Sequence, residues 1–335
     1  MINVAVIGAG AFGRNHARVY HELQQANEGV RLAAVVDSEH SRAAAVAKDY
    51  PGVRALTSLH ELTQQDGIQA ASVAVPTMAH TEVASTLMQA GIDVLIEKPL
   101  APTLKEADEL IRLARSTGRI AQVGHLERFN PAVRATLPLL THPMFFEVHR
   151  LSVFTPRSLD VDVVLDLMIH DLDVVLSFVR SPVKDVRAVG LPILSPKVDI
   201  ANVRMEFESG CVANFTASRV STERVRKLRF FQPRQYISID YGRQDVLVFT
   251  VDAPDRTAKP SIGGAPIQVT KPPVTQEEPL HAELRSFLNA VRQRSQPMVP
   301  LEDGRRSLAV ALDILAAIAE HSRRVNLEAL GAVRK

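Results

Sequence analysis

Residues 2–13, INVAVIGAGAFG, are the most informative part of this sequence. They join an apolar run, typical of a β-strand, to a Gly-x-Gly-x-x-Gly turn, and a helical pattern follows from Arg14 to Gln25. A second apolar run, Arg31–Val36, then ends on Asp37. Strand, glycine-rich turn, helix, strand and acid in this order are the context of a dinucleotide-binding fingerprint. The alternative, a glycine-rich structural turn, accounts for less of this order.

Each part of the fingerprint has an expected task. Gly8 allows a tight turn, Gly10 lets the backbone approach a pyrophosphate, and Gly13 allows close packing of helix on strand. The N-terminus of the helix offers N–H groups and a partial positive charge to the phosphates. We therefore predict cofactor contacts along the turn and at the acid, from residues Gly8, Gly10, Ala11, Phe12, Gly13 and Asp37.

Asp37 also indicates which dinucleotide binds. Its carboxylate can accept hydrogen bonds from the adenosine ribose hydroxyls, and it would repel a 2′-phosphate. The next residue is Ser38 rather than a cation, and Arg42, although within reach, is expected to face solvent on the following helix. The sequence therefore predicts NAD rather than NADP.

Composition is that of an ordinary soluble globular protein with two domains. Of the 335 residues, 46% are hydrophobic and 23% are charged, and the formal net charge of +2 argues against nucleic acid as the main partner. The single cysteine, Cys211, excludes an internal disulfide and is expected to lie in the core. Because the sequence shows no signal peptide and no membrane span, we expect a cytoplasmic protein.

Residues 1–122 alternate apolar runs with helical patterns, which predicts a doubly wound parallel sheet, the Rossmann arrangement. The apolar runs are Asn3–Ile7, Leu32–Val36, Ala71–Val75, Val94–Ile96 and Ile120–Val123. The helices are expected near Arg14–Gln25, Ser41–Asp49, Ala79–Ala90 and Leu104–Ser116. Gly91 and Gly118 stand where left-handed C-caps would end two of these helices.

Residues 123–335 show a different pattern, which predicts a second α/β domain with a mainly antiparallel sheet. One long helix is predicted over Val161–Phe178. Strands are predicted near Val183–Val189, Ile200–Glu208, Cys211–Ser218, Leu228–Phe231, Tyr236–Tyr241 and Asp245–Thr250. The proline-rich stretch 251–279 is expected to be irregular or edge structure. Two closing helices are predicted near Leu280–Arg292 and Asp303–Ser322, with Asp303 as an N-cap.

The segment Glu97-Lys98-Pro99 follows an apolar run. Open α/β sheets bind ligands at the carboxyl ends of their strands, so we expect Lys98 to point into the crevice beside the nicotinamide. An isolated lysine is more often a solvated surface cation, but this position favours a functional role. Pro99 restricts Lys98 to extended geometry and allows a cis bond.

A second candidate segment lies on the long helix. At about 100° per residue, four of its polar residues fall on one side: Asp162, Asp166, His170 and Asp173. Asp171 falls on the opposite side. Three acids can form a solvated face, but a carboxylate one turn away can orient an imidazole and tune its basicity. His170 is therefore a candidate proton acceptor near neutral pH.

Four short motifs, in this order, resemble the Gfo/Idh/MocA family of oxidoreductases. They are the glycine turn 8–13, Pro76-Thr77 with His80, Glu97-Lys98-Pro99, and the segment from Asp166 to His170. The resemblance covers the whole chain, down to the helix at Asp303-Gly304 and to Val325-Asn326-Leu327. It implies a Rossmann domain followed by an α/β domain whose large open sheet often mediates oligomerisation, so a homo-oligomer, dimer or tetramer, is expected.

The resemblance also implies roles for single residues. It assigns catalysis to Lys98, Asp166 and His170, and it adds to the cofactor-binding set the residues Pro76, Thr77, His80, Glu97 and Lys98. One departure is Met168, because many members of the family have glycine two residues before the histidine. The segment 123–131, VGHLERFNP, and the helix with Met168 resemble the subgroup that oxidises nucleotide-activated amino sugars for lipid A synthesis. From this segment, His125, Arg128 and Asn130 are substrate-binding candidates.

A nucleotide-activated substrate carries a diphosphate, which needs cations outside the nicotinamide pocket. The second domain offers Arg157, Arg219, Arg224, Arg226, Lys227 and Arg229. We select Arg157, Arg224 and Arg226 as substrate-binding candidates. Because residues alternate faces along a strand, Arg226 and Lys227 cannot both contact one ligand there. The alternative is that these cations belong to a solvated strand and loop.

The sequence therefore predicts NAD-dependent oxidation of a secondary hydroxyl of a sugar. One alternative is a free-sugar or inositol dehydrogenase of the same family. Another is a dinucleotide-binding sensor without turnover, against which the complete set of Lys98, Asp166 and His170 argues. No metal site is expected, because no His-Glu-x-x-His or Cys-x-x-Cys motif occurs and His170 and Asp171 lie on different helix faces.

Overall fold

The computed structural model of the protein describes residues 1–64, 67–155, 161–251 and 267–325, which form two compact units. The first unit combines Met1–Phe129 with Glu277–Leu308. The second combines Asn130–Gln276 with Ala309–Lys335. The division therefore falls later than the predicted boundary at residue 122. The segment Glu277–Leu308, which the sequence analysis assigned to the second domain, belongs to the first unit.

The first unit contains a parallel sheet of six strands in the order β3-β2-β1-β4-β5-β6. The strands are β1 Ile2–Ile7, β2 Val30–Val36, β3 Arg54–Leu56, β4 Ile68–Val73, β5 Asp93–Glu97 and β6 Ala121–Gly124. The predicted doubly wound parallel sheet is thus confirmed. Strand order reverses between β1 and β4, and ligands bind such sheets at the carboxyl ends of the strands beside this point.

Nine α-helices occur in the described residues. They are α1 Ala11–Gln25, α2 His40–Ala47, α3 Leu59–Thr63, α4 His80–Gln89, α5 Leu104–Thr117, α6 Pro131–Thr136, α7 Ile169–Phe178, α8 Pro279–Gln293 and α9 Leu301–Arg324. In the first unit, Tyr20 and Leu23 of α1 share a buried core with Leu284 and Phe287 of α8. This apolar contact explains why a segment so distant in sequence joins the first unit.

Helix ends follow the expected chemistry in α5. Thr103 is the N-cap, and its hydroxyl both accepts a hydrogen bond from the backbone N–H of Glu106 (3.2 Å) and donates to the Glu106 carboxylate (2.7 Å). Gly118 ends α5 with φ = +63°, and Gly91 follows α4 with φ = +82°. Both left-handed glycines were predicted. Helix α9 begins at Leu301, so Asp303 lies in its first turn and is not the N-cap as predicted.

The second unit contains an eight-stranded sheet in the order β14-β13-β12-β11-β7-β10-β9-β8. The strands are β7 Phe145–Val153, β8 Val183–Leu191, β9 Ile200–Phe207, β10 Val212–Ser221, β11 Val225–Gln232, β12 Gln235–Asp240, β13 Asp245–Val251 and β14 Ile267–Thr270. All pairs are antiparallel except β7 with β10, so the predicted mainly antiparallel sheet is confirmed. Strand β7 was not predicted, although it lies at the centre of the sheet.

The helix predicted over residues 161–178 is wrong in its first part. Val164–Met168 form a π-helical turn, and α7 begins at Ile169. Val164 and Met168, four residues apart, are both buried in the core of the second unit, and this spacing also occurs on one face of an α-helix. Single π turns inside helices frequently occur at functional sites. This turn carries Asp166 and ends two residues before His170.

Cys211 is buried in the core of the second unit, as predicted, and burial raises the pKa of its thiol to about 11. A thiol with this pKa is a poor nucleophile near neutral pH. Within the described residues, no helix combines the length and the apolar character that crossing a bilayer requires.

Candidate active site

The glycine turn between β1 and α1 has two glycines that the fold requires and one that leaves space. A Cβ on Gly8, which has φ = +98°, would lie 2.4 Å from the carbonyl oxygen of Ala74. A Cβ on Gly13 would lie 1.7 Å from the carbonyl oxygen of Gly8. A Cβ on Gly10 would meet no atom within 4 Å. The space at Gly10 is where the predicted fingerprint needs a pyrophosphate to approach the backbone.

Helix α1 presents its N-terminus beside this space. Gly10 is its N-cap and supplies no side-chain hydrogen bond to the first turn. The side chain of Phe12 in that turn is 52% exposed. Backbone N–H groups and the helix dipole therefore provide an anion-binding end, and the open space at Gly10 fits a dinucleotide diphosphate.

Asp37, at the carboxyl end of β2, has a fixed side chain. Its Oδ2 accepts a hydrogen bond from the backbone N–H of Ala9 (2.8 Å), and its Oδ1 accepts one from the N–H of Glu39 (3.0 Å). Each carboxylate oxygen can accept a further hydrogen bond, so these contacts leave capacity for ribose hydroxyls. Arg42 pairs instead with Glu39 (2.9 Å), and both of these side chains are more than half exposed.

His80 lies beneath the segment that follows β4 and is almost wholly buried. Its Nδ1 is 3.0 Å from the carbonyl oxygen of Pro99, and its Nε2 is 3.0 Å from that of Val75. Burial lowers the pKa of His80, whereas these two carbonyls and Glu97 oppose that shift. His80 therefore joins two loops at the carboxyl edge of the sheet. Pro76 and Thr77, the other cofactor candidates of this motif, lie between β4 and α4 and are more exposed than His80.

Glu97, Lys98 and Pro99 follow one another at the end of β5, and the Lys98–Pro99 peptide is cis. Lys98 is half-buried. Glu97 is buried, and its Oε1 lies 2.9 Å from Nε2 of His16 on α1. Sequence reasoning missed His16. The available signal was a histidine three residues after Gly13, on the buried side of a helix that otherwise presents apolar residues there.

The acids predicted on one helix face have different surroundings in the structure. Asp162 accepts a hydrogen bond from the N–H of Val198 (2.9 Å), before the π turn. Asp173 is buried, and Asp166 and His170 are half-buried. Of the four residues predicted on one helix face, Asp166 and His170 are thus both partly accessible and only four positions apart.

Asp171 faces the sheet, as its predicted position opposite His170 requires. It pairs with Arg150 of β7 through two hydrogen bonds, of 2.6 and 3.0 Å, and both side chains are buried. The guanidinium carbon of Arg150 also lies 5.2 Å from the ring centroid of Tyr241. A bidentate pair of this kind fixes orientation as well as distance, so it holds α7 on the sheet.

The cations of the second unit separate into groups. Arg219 is buried, donates to the carbonyl oxygen of Val161 and lies 3.6 Å from Asp199, which indicates a structural role. Arg226 is exposed and pairs in register with Arg150, so it lies on the face of the sheet that α7 covers. Lys227 and Arg229 point to the other face of the sheet from Arg226.

Arg229 lies on the opposite face, 3.8 Å from Glu147. Lys227 shares that face by strand alternation. Arg224 is exposed in the turn before β11, and Arg157 lies outside the described residues.

The segment after β6 contains three further substrate candidates. His125 is buried, and Arg128 forms an ion pair with Asp303 (3.0 Å). Asn130 caps α6, because its Oδ1 accepts from the N–H of Ala132 and its Nδ2 donates to the carbonyl oxygen of Tyr241. These contacts give Arg128 and Asn130 structural roles in addition to the predicted ones.

One group of side chains among the described residues has spacing suited to a metal ion. It consists of Glu22, Glu278 and His281, whose ligand atoms lie within 4.8 Å of one another. Arg18 donates hydrogen bonds to both carboxylates, at 2.9 and 2.5 Å. The guanidinium therefore already supplies the positive charge that a metal ion would bring to these carboxylates.

The parallel sheet, the open glycine turn and the carboxylate at the end of β2 are the features of a dinucleotide-binding Rossmann domain. A model of the NAD-binding Rossmann domain of an oxidoreductase family matches residues 2–125, and a model of the GFO/IDH/MocA C-terminal domain matches residues 142–237. The chain belongs to the Gfo/Idh/MocA family of oxidoreductases.

Similar proteins include dehydrogenases named for a UDP-sugar and for an inositol. UDP-N-acetylglucosamine 3-dehydrogenase from Acidithiobacillus ferrooxidans is 36% identical over 318 residues, which cover 95% of this chain and 97% of that protein. Its solved structure superposes with a TM-score of 0.85 at 35% identity, covering 95% and 97% of the two chains. The scyllo-inositol 2-dehydrogenase (NAD(+)) of Bacillus subtilis is 26% identical over 235 residues, which cover 66% and 68%.

Proposed function

We propose that this protein oxidises the C3 hydroxyl of UDP-N-acetylglucosamine to a ketone, with NAD as the hydride acceptor. The observation that carries the proposal is the similarity to UDP-N-acetylglucosamine 3-dehydrogenase, at 36% identity over 95% of the chain. The half-buried Lys98, Asp166 and His170 support it, because they supply a cation, an acid and a base for oxidation of an alcohol.

Three side chains have proposed catalytic roles. When bound, the nicotinamide supplies the acceptor for the hydride. His170 accepts the hydroxyl proton, since imidazole titrates close to neutral pH. The Lys98 ammonium stabilises the negative charge that develops on the substrate oxygen. Asp166, four residues before His170, orients His170 or the substrate.

NAD is preferred to NADP because of Asp37. Its carboxylate is held at the end of β2 by two backbone N–H groups, so it cannot turn away from a ribose at that position. A 2′-phosphate would meet this negative charge at close range. The neighbouring Arg42 does not compensate, because it pairs with Glu39.

Arg226 is the principal candidate for binding the substrate diphosphate, with Arg224 and Arg157 as further candidates. Arg226 lies exposed on the same face of the sheet as Arg150 and α7, which carries His170. Arg229, on the other face beside Glu147, is a poor candidate. Arg226, Arg224 and Arg157 therefore remain as candidates for contacting the diphosphate.

We also propose a homo-oligomer that uses the face of the eight-stranded sheet opposite α7. On this face Phe145, Phe231, Tyr236 and Phe249 form successive ring contacts, with centroids 5.7, 4.9 and 5.1 Å apart. Leu247, on the same strand as Phe249, is 37% exposed, and Val269 on the neighbouring strand β14 is 56% exposed. An apolar surface of this kind favours association of two copies.

A panel of substrates tests the function. NADH formation is followed with NAD and one of three substrates: UDP-N-acetylglucosamine, free N-acetylglucosamine or scyllo-inositol. Turnover with the UDP-sugar alone is the expected result. Preference for inositol would support the alternative that the inositol dehydrogenase relatives suggest. Tight NAD binding without turnover on any substrate would support a sensor.

A further inference from the structure

The pair formed by His16 and Glu97 has no role in the proposed chemistry so far. His16 is wholly buried on α1, one turn after the glycine fingerprint, and its Nε2 lies 2.9 Å from Oε1 of Glu97. The Glu97 side chain also lies against Gly124 of β6, where a Cβ would lie 3.0 Å from Oε1. Helix α1 and strand β6 therefore confine the carboxylate to one position next to Lys98.

The charges around Glu97 keep it ionised. Burial opposes ionisation, but the hydrogen bond and charge of His16, followed by the charges of Lys98 and His80, hold its pKa below the usual value. His16 lies on α1, Lys98 directly follows β5, and His80 begins α4. Because Coulomb attraction acts on both partners, the carboxylate in turn favours the charged ammonium of Lys98.

We propose that His16 and Glu97 are positioning residues for Lys98. His16 holds the carboxylate of Glu97, and this carboxylate keeps Lys98 protonated and in place at the carboxyl edge of the sheet. The role of Lys98 in turnover rests on the proposed function, but its charge state can be measured without turnover. In this proposal Glu97 acts through Lys98, whereas the family resemblance implies that it contacts the cofactor.

The main test is the titration of Lys98 in the intact protein without ligands. Competitive acetylation of the amine, followed by mass spectrometry of the Lys98 peptide, gives the pH at which half of the ammonium is deprotonated. Glu97→Gln keeps the shape and the acceptor for His16 but removes the negative charge. We expect the midpoint for Lys98 to fall by about one pH unit or more.

Two substitutions of His16 separate the hydrogen bond from the volume. Gln at this position retains an N–H donor, whereas Leu removes it. The titration midpoint of Lys98 should therefore stay near the wild-type value in His16→Gln. In His16→Leu it should fall as it does in Glu97→Gln. If Glu97→Gln does not fold, this pair decides the question. For turnover, we expect kcat to fall about tenfold in Glu97→Gln at alkaline pH while the Kd for NAD changes by less than about twofold.

Asp93 provides the matched control. It is a buried carboxylate at the other end of β5, where it pairs with Arg294 and accepts a hydrogen bond from the N–H of Ile120 (2.9 Å). Asp93→Asn removes a buried charge from the same strand, so it should lower stability and leave the titration of Lys98 unchanged.

An unchanged midpoint in Glu97→Gln, or an equal shift in Asp93→Asn, overturns the proposal. A shifted midpoint in a protein that oxidises no substrate supports the pairing and contradicts the proposed function.

Discussion

The two sheets of this protein position their candidate residues by different means. In the first unit, parallel strands bring the turn after β1, Asp37 and Lys98 to one edge, and glycines shape the backbone there. In the second unit the strands are mainly antiparallel, so their carboxyl ends lie at both ends of the sheet. Arginine–carboxylate pairs such as Arg150–Asp171 hold a helix in position on this sheet. A parallel sheet therefore localises a site by topology, whereas an antiparallel sheet needs specific side-chain contacts.

The largest expected effect concerns the backbone of the first unit. Gly13→Ala should lower the free energy of unfolding by more than about 4 kcal/mol, because its Cβ would overlap the carbonyl oxygen of Gly8. Gly10→Ala is the matched control, since Gly10 has open space and φ = −69°. Gly10→Ala should retain the thermal stability of the wild type and weaken NAD binding, as measured by calorimetry. Equal stability of the two variants would contradict this account of the turn.

The next largest effect concerns the second unit. Asp171→Asn leaves the buried Arg150 without its charged partner and should destabilise the protein by about 3 kcal/mol in urea denaturation. Asp185→Asn is the control, because Asp185 pairs with Arg187 on the surface, where side chains are 50% and 82% exposed. Loss of this pair should cost less than about 0.5 kcal/mol. A similar cost for both variants would show that ion pairs do not fix α7.

A smaller effect should separate the two faces of the second sheet. Arg226→Gln should raise KM for UDP-N-acetylglucosamine about tenfold and make substrate binding less sensitive to salt, because it removes a phosphate contact. Arg229→Gln, on the opposite face, should change KM for the sugar nucleotide little, and both variants should keep KM for NAD. If combined neutralisation of Arg157, Arg224, Arg226 and Arg229 leaves KM unchanged, the diphosphate site is wrong and a free-sugar substrate becomes the better hypothesis.

The smallest effect concerns the choice of dinucleotide. Asp37→Ser removes the charge that would face a 2′-phosphate, so the ratio of kcat/KM for NAD to that for NADP should fall about fivefold. The hydrogen bond from Ala9 N–H is also affected, which should weaken binding of both dinucleotides. An unchanged ratio would mean that Asp37 does not discriminate between them.

Local patterns predicted most of the first unit. The strand–turn–helix at residues 2–25 and the terminal Gly118 of α5 depend on neighbouring residues, and both agree with the structure. Strand β3 and helix α3 were missed because they are only three and five residues long. The positions of Lys98 and Asp37 directly after parallel strands agree with the prediction, because apolar runs in the sequence mark where these strands end.

Contacts between distant residues account for most of the rest. His16 and Glu97 are 81 positions apart, and nothing near either residue indicates the other. Strand β7 pairs with β10 and β11, more than 60 residues further along the chain, so its place in the centre of the sheet is a property of the whole domain. The π turn at Val164–Met168 was missed because its two buried residues, four positions apart, also fit one face of an α-helix.

The central claim is that Lys98 and His170 carry out the chemistry without being required for dinucleotide binding. The direct measurement is single-turnover formation of NADH from UDP-N-acetylglucosamine by Lys98→Met, His170→Gln and the wild type, with NAD affinity measured on the same samples. We predict that each variant loses about 10²–10³-fold in rate, while the Kd for NAD changes by less than about twofold. Wild-type rates in either variant would contradict the claim.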